Sequence, residues 1–290
     1  MVYFVAVDFC ANGAAIPGNG KIGAIVRMKL RIDELEKIIR QAGGMLLCAH
    51  VSAENIEHKQ GDANFVTDYD VRIQRFLVTE FRKLIPDAAI FGEEETEENQ
   101  QKIRSDGYTF IIDPIDGTTN FMFGYHHSCV SVGVALDGKL VLGCVYNPYV
   151  DEMYTAVRGE GAYLNGRRLL MKDLAVGESI ISFGCARYNE GNVELLFDVV
   201  KELFQRSLSV RCGGSAALDL CRVASGNNGA YLELRLNPYD YAAAALIIEE
   251  SGGCIAQMDG SPITLEKPCS ILAGTSKAVQ EIRELIREKS

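Results

Sequence analysis

The sequence is short of positive charge. Its 29 Lys and Arg stand against 39 Asp and Glu, a net charge of −10. That balance offers no broad cationic surface for nucleic acid or an anionic membrane. Histidine is scarce, with four residues, and the nine cysteines are scattered without one Cys-x-x-Cys pair. The histidines do not pair with cysteines at ligand spacing, which argues against structural zinc. An odd, scattered cysteine set in a chain of this length reads as buried, reduced thiols of a cytoplasmic protein rather than a disulfide framework. Apolar runs of membrane-spanning length, internal repeats and low-complexity tracts are all missing. There is no basic start, and Asp8 interrupts the first apolar run, so no secretory signal is expected.

What is present is an ordinary globular composition, 48% hydrophobic and 23% charged over 290 residues, enough for one large or two fused domains. Residues 1–27 are apolar, then glycine-rich, with almost no charge before Lys21. They read as a weakly ordered extension or an upstream start that the cell does not use. From Leu30 to His50 apolar residues recur at helical spacing, and a second helix runs through Ile73, Leu77 and Phe81 to a stop at Pro86. Strands are expected at Ala88–Phe91, Tyr108–Ile112, Cys129–Leu136, Leu140–Tyr146 and Glu152–Val157, with Asp137-Gly138 as a hairpin turn and Ala162–Gly166 as another turn. They form an antiparallel sheet flanked by the two early helices.

Beyond the turn at Arg158–Gly161 the pattern alternates. Ser179–Phe183, Ser207–Arg211, Ala230–Leu234, Cys254–Met258 and Ser270–Ala273 read as strands. Val193–Phe204, a segment from Ala216 to Ala224, Tyr241–Glu250 and a segment from Ser276 read as helices. Such alternation is an α/β layer. The expected organisation is an α+β part over 28–157 and an α/β part over 158–290.

The chemistry concentrates in Phe110–Phe121. An apolar strand delivers Asp113 and Asp116, three positions apart, into a turn with Gly117, Thr118 and Thr119. Pro114 removes a backbone donor and is expected to end strand pairing at Asp113. Gly117 can take positive φ and admit a ligand close to the backbone. Carboxylates beside free N–H groups suit a hard cation and a phosphate together. Asp-Gly is also a common turn dipeptide, and Asp near a helix start a common cap. A helix–loop–helix calcium loop fits poorly, because its closing glutamate would fall at Gly124. Elsewhere Thr67 and Asp70 have the spacing of a capping box, Asp240 reads as a helix N-cap, Ser215 as another, and Glu95–Glu98 as solvated charge. His126 and His127 read as structural or solvent-facing.

Asp113–Phe121 resembles, at every position, the first signature of the inositol monophosphatase family, Asp-Pro-(Ile/Leu)-Asp-Gly-Thr-x-Asn-Phe. Asn237–Gly253 resembles its second, Trp-Asp-x-Ala followed by a helix and Gly-Gly. The resemblance runs from about residue 28 to the end. It implies a layered αβαβα sandwich, a homodimer, and a lithium-sensitive phosphatase using two or three Mg²⁺ ions. It further implies that Glu93, Asp113, the Ile115 carbonyl, Asp116, the Thr118 hydroxyl and Asp240 are metal ligands, and that Asp70 and Thr118 activate a water. Substrate contacts would come from Glu93, Asp116, Gly117, Thr118, Thr119, Gly214, Ser215, Ala216 and Glu233. Read by itself, Glu233 is simply an exposed strand residue.

The implied substrate is a phosphorylated cyclitol or sugar, with no nucleic-acid or membrane partner. Relatives on the same site act on fructose 1,6-bisphosphate, histidinol phosphate or 3′-phosphonucleotides, and Thr119 stands where the nucleotide branch usually has Lys. Tyr239 and Phe110 replace frequent Trp residues, and His126 stands near a usual Pro. These departures touch substrate preference. A fold retained for binding or regulation without turnover is the rival from another class.

Overall fold

The computed structural model describes residues 30–49, 56–58, 65–94, 103–185 and 192–289. The expectations for residues 1–27 and for Glu95–Glu98 lie outside the described residues.

Helix α1 (Ile32–Leu47) buries Leu35, Ile38, Ile39, Ala42 and Leu46, the stripe its periodicity implies. A short ribbon, β1 (Ile56–His58) with β2 (Phe65–Thr67), leads into α2 (Asp68–Leu84). Next come β3 (Ala89–Gly92), β4 (Tyr108–Asp116), the five-residue α3 (Thr118–Met122), β5 (Cys129–Leu136), β6 (Lys139–Asn147), β7 (Glu152–Val157), β8 (Gly161–Leu164) and β9 (Arg167–Leu169). Strands β3 to β9 make one seven-stranded sheet in sequence order. Only its β3–β4 pair is parallel; the other neighbours are antiparallel. Asp137 and Gly138 both take positive φ, the conformation a tight β5–β6 hairpin requires.

A second sheet follows, from β10 (Ile180–Phe183), α4 (Val193–Arg206), β11 (Ser209–Arg211), α5 (Ala216–Ala224), β12 (Ala230–Leu236), α6 (Pro238–Ser251), β13 (Cys254–Ala256), β14 (Cys269–Gly274) and α7 (Ser276–Lys289). Its order is β11-β10-β12-β14-β13, parallel on the β10 side and antiparallel around β14.

Three apolar layers hold these parts. Helices α1 and α2 cover one face of the seven-stranded sheet. Helices α5 and α6 are sandwiched between the two sheets. Helices α4 and α7 close the outer face of the second sheet. This is the expected αβαβα sandwich. From Tyr241 to Ile248 the middle helix α6 is apolar and buried around its whole circumference, as a segment with no solvent face must be. Its Ala242–Ala245 run sits on a cross-strand pair of glycines, Gly133 and Gly143. A Cβ on Gly133 would stand 3.1 Å from the Ala242 Cβ, and one on Gly143 would run into the Ala243 carbonyl.

Three local expectations change. Ala162–Gly166 is not all turn: β8 occupies its first part and the turn is Asn165-Gly166. The hairpin at Arg158–Gly161 joins two strands of one sheet, so the change of sheet comes after Leu169. Pro114 does not end β4. Pairing with β5 breaks after Asp113, opposite Ser131, and resumes at Asp116, opposite Cys129. Among the described residues no helix is long and apolar enough to cross a membrane.

Candidate active site

The irregularity at Pro114 is what brings the two acids together. In a regular strand, residues three apart point to opposite faces. Here three steps on β4 are matched by two on β5, a bulge that restores the parity of Asp113 and Asp116. The missing N–H of Pro114 falls where the ladder is already interrupted, so nothing is lost. Both acids are buried, and the Ile115 N–H donates to Asp113 Oδ1 at 3.0 Å.

Glu93 reaches the same place by register. Strand β3 lies parallel to β4 with Gly92 opposite Ile112, so the next residues, Glu93 and Asp113, are neighbours. The Glu93 N–H donates to the Ile112 carbonyl at 3.0 Å, and the Glu93 and Asp113 carboxyls are in hydrogen-bond contact. The following residue is clamped by Gln74 of α2, wholly buried, which gives its amide N–H to the Glu94 carbonyl (2.7 Å) and accepts the Glu94 N–H (3.0 Å).

Gly117 takes φ 90°, ψ 44° and opens α3. Only glycine serves there: a Cβ would stand 3.0 Å from the carbonyls of both Gly214 and His127. In the first turn of α3, Thr118 Oγ1 lies 3.1 Å from the Ile115 carbonyl and 3.4 Å from Asp70 Oδ1. Asp70 is fully buried at the start of α2. Its Oδ2 accepts from the Thr67 N–H (2.8 Å) and hydroxyl (2.6 Å), completing the capping box. The two readings of Asp70 therefore coexist, one on each oxygen. Thr119 is exposed.

The central helices supply the other wall. Ser215 caps α5 and donates its hydroxyl to Asp116 Oδ2, which also accepts the Ala217 N–H at 2.8 Å. Gly214 is exposed beside Ser215, and Ala216 is buried. Asp240 is not the N-cap of α6. Asn237 is, with Pro238 next, and Asp240 at the third position accepts the Asn237 N–H at 2.6 Å.

Glu233 is buried, not exposed, and accepts the Tyr231 hydroxyl. The apolar surroundings of β12 on both faces explain why alternation misjudged it.

Electrostatically this is a cluster of acids acting on acids. Burial pushes Asp113 well above the usual carboxylate range, and the charges of Glu93, Asp116 and Asp240 add to it. Burial, then Glu93 and Asp116, do the same to Asp240. Asp116 is raised by burial to about 6, held back by its hydrogen bonds from Ser215 and Ala217. Among the described residues no Lys or Arg pairs with Asp113, Asp116 or Asp240. Buried carboxylates of this kind need a cation. The donors at hand are all oxygens: four carboxylates, the Ile115 carbonyl and the Thr118 hydroxyl. That chemistry fits a hard divalent ion. No three His, Cys, Asp or Glu among the described residues form a ready-made cage.

Three residues escaped the sequence reading. Gln74 clamps the Glu93 turn. Asn120 donates both amide hydrogens across the gap between signatures, to the His127 and Gly213 carbonyls, each at 2.8 Å. Asp219 of α5 is buried and accepts the Gly213 N–H at 3.2 Å; burial raises it to about 7, helped by Asp116 and Glu233. Asn120 is a fixed position of the first signature and Asp219 an acid in a largely apolar helix, whereas Gln74 left no signal.

The family model described as Inositol monophosphatase family matches residues 30–290. The Inositol-1-monophosphatase of Bacillus subtilis is 34% identical over 256 residues, covering 87% of this chain and 95% of that protein. The Nus factor SuhB of Vibrio cholerae is 34% identical over 257 residues, covering 86% and 92%. The solved IMPase of Thermotoga maritima superposes with a TM-score of 0.78 at 29% identity, covering 89% of this chain and 98% of its own. With the acid cluster these findings make one conclusion: the chain belongs to the inositol monophosphatase family of phosphatases.

Proposed function

We propose that this protein is a Mg²⁺-dependent phosphomonoesterase that hydrolyses inositol monophosphate or a related sugar phosphate, with water as the nucleophile and no phosphoenzyme. The observation that carries the reading is the buried pair Asp113 and Asp116 with the half-buried Asp240 beside Glu93, and no cationic side chain among the described residues paired with the three aspartates. Glu93, Asp113, Asp116, Asp240, the Ile115 carbonyl and the Thr118 hydroxyl would hold the metal. Bound there, the metal would offset phosphate charge, acidify water and stabilise the leaving oxygen.

The chain's own residues do the rest. Thr118 Oγ1, between Asp70 Oδ1 and the Ile115 carbonyl, orients the attacking water and relays its proton to Asp70. Asp70 is rigid because its other oxygen is spent on the cap of α2. The N–H groups of Gly117, Thr118 and Thr119 face the phosphate, and Gly117 allows the approach. Gly214, Ser215 and Ala216 form the far wall. Glu233 accepts from hydroxyls of the alcohol, which are donors that a carboxylate suits. Attack in line with the leaving oxygen then gives inorganic phosphate and the free alcohol. A homodimer in the cytoplasm completes the reading.

The test is phosphate release from inositol 1-phosphate, fructose 1,6-bisphosphate, histidinol phosphate and 3′-phosphoadenosine 5′-phosphate, each with Mg²⁺ and with EDTA. Mg²⁺-dependent release led by inositol 1-phosphate is expected. Another leading substrate keeps the mechanism and overturns the substrate. The V. cholerae relative is named as a Nus factor, so a second reading is a binding role without turnover. No release from any ester, together with no Mg²⁺ binding by calorimetry, would favour it.

A further inference from the structure

Away from the acids, two thiols stand together. Cys185 and Cys212 are free and exposed, with their sulfurs 3.6 Å apart. They lie just past the carboxyl ends of the neighbouring parallel strands β10 and β11. A disulfide has its sulfurs about 2.05 Å apart, so closure needs an approach of roughly 1.5 Å.

Each thiol adjoins a glycine packed against the proposed substrate pocket. A Cβ on Gly184 would run into the Glu233 carboxylate and meet the Tyr231 hydroxyl. The Gly213 N–H donates to Asp219, and its carbonyl accepts from Asn120. Gly214 and Ser215 follow directly.

We propose that Cys185 and Cys212 are a redox-modification site, forming a reversible disulfide that displaces the Gly213–Ala216 segment and weakens substrate contact. The bond rests on the pair alone; its effect on catalysis rests on the function proposed above. The oxidant is a low-molecular-weight disulfide. The Cys185 thiolate attacks one of its sulfurs and releases one small thiol, leaving a mixed disulfide. The Cys212 sulfur then displaces the second small thiol, which leaves with the Cys212 proton. In sum, two protein thiols and one small disulfide become one protein disulfide and two small thiols. Partial burial and the neighbouring Cys185 push Cys212 up to about 12, which disfavours Cys212 as the first attacker.

The experiment treats the full chain with oxidised glutathione, quenches with acid and maps crosslinks by peptide mass spectrometry. Cys48 is also exposed, so the mapped crosslink, not loss of free thiol, is the readout. A Cys185–Cys212 crosslink is expected, with altered amide hydrogen exchange over Gly213–Ala217. KM for inositol 1-phosphate should rise about threefold to tenfold at unchanged kcat, the loss of about one hydrogen bond's worth of binding. Dithiothreitol should reverse all three changes, and Cys185→Ser and Cys212→Ser should show none. Mixed glutathione adducts without the crosslink would overturn the proposal, as would a crosslink that leaves exchange and KM unchanged. If no ester is hydrolysed, the proposed function falls, while crosslink and exchange still decide this site.

Discussion

The same side chain behaves in opposite ways at two places. On the surface, Glu202 lies against Arg206 and Lys289, and Asp151 against Arg40 and the Tyr146 hydroxyl; these partners pull both carboxyls below their ordinary range. Between the sheets, Asp113 and Asp240 meet burial and other acids, and both are pushed up. The surface acids are content with the protein alone. The interior acids are placed at a standing cost to the fold, and such costs mark functional sites.

The sharpest way to break that contrast is Asp113→Asn. Phosphate release should fall by more than roughly a hundredfold, the upper range for groups one step further from a metal. In EDTA the same variant should melt higher than the parent at pH 7, because a repelling buried charge has gone. Activity assays and calorimetry with and without Mg²⁺ check both halves; a lower melting temperature in EDTA would refute the repulsion.

Acidity sharpens it next. Asp116 has its folded value above its unfolded one, so the native state holds the proton more tightly. Stability is then fullest at low pH and lost as pH rises from 3.8 to about 6. The loss is roughly 3 kcal/mol for a shift of this size. Denaturant titrations in EDTA across this window should show the fall, and Mg²⁺ should offset it.

Thr118→Val removes the hydroxyl beside Asp70 without touching the cap of α2. A kcat lower by about a hundredfold is expected, with little change in melting temperature. Asn120→Ala strips the two hydrogen bonds that join α3 to the His127 and Gly213 carbonyls. It should cost about 1–3 kcal/mol of stability and raise KM more than it lowers kcat. At the far end, Glu202→Gln loses two exposed ion pairs and should leave melting and turnover unmoved.

Where the chain announces itself, it does so through local rules. The Asp113–Phe121 signature, the Thr67–Asp70 capping box and the stripe of α1 each depend on residues a few positions apart, and each appears as expected. The αβαβα layering follows from the order of the elements. Asp113, Asp116 and Ser215 could be named in advance because they lie in such patterns. Pro114 misled because a rule about single strands does not foresee a bulge that absorbs the proline. Gln74 and Asn120 act on residues 20 and 93 positions away, a separation that no local spacing encodes. The cysteines divide for the same reason. Cys129, Cys144, Cys221 and Cys269 are buried as expected, but Cys48, Cys185 and Cys212 are exposed, and pairing of the last two depends on strand order in the second sheet.

The glycine pair under α6 has a consequence for catalysis. Gly133 and Gly143 carry no reactive group and lie on the sheet, yet they fix how deeply α6 sits. Asp240 is in the first turn of that helix, and Asp113 belongs to the sheet beneath it. The gap between these two acids is therefore gauged by bare backbone, like a shim of zero thickness. One methyl group added at Gly143 would lift the helix and widen the site without altering any residue in it.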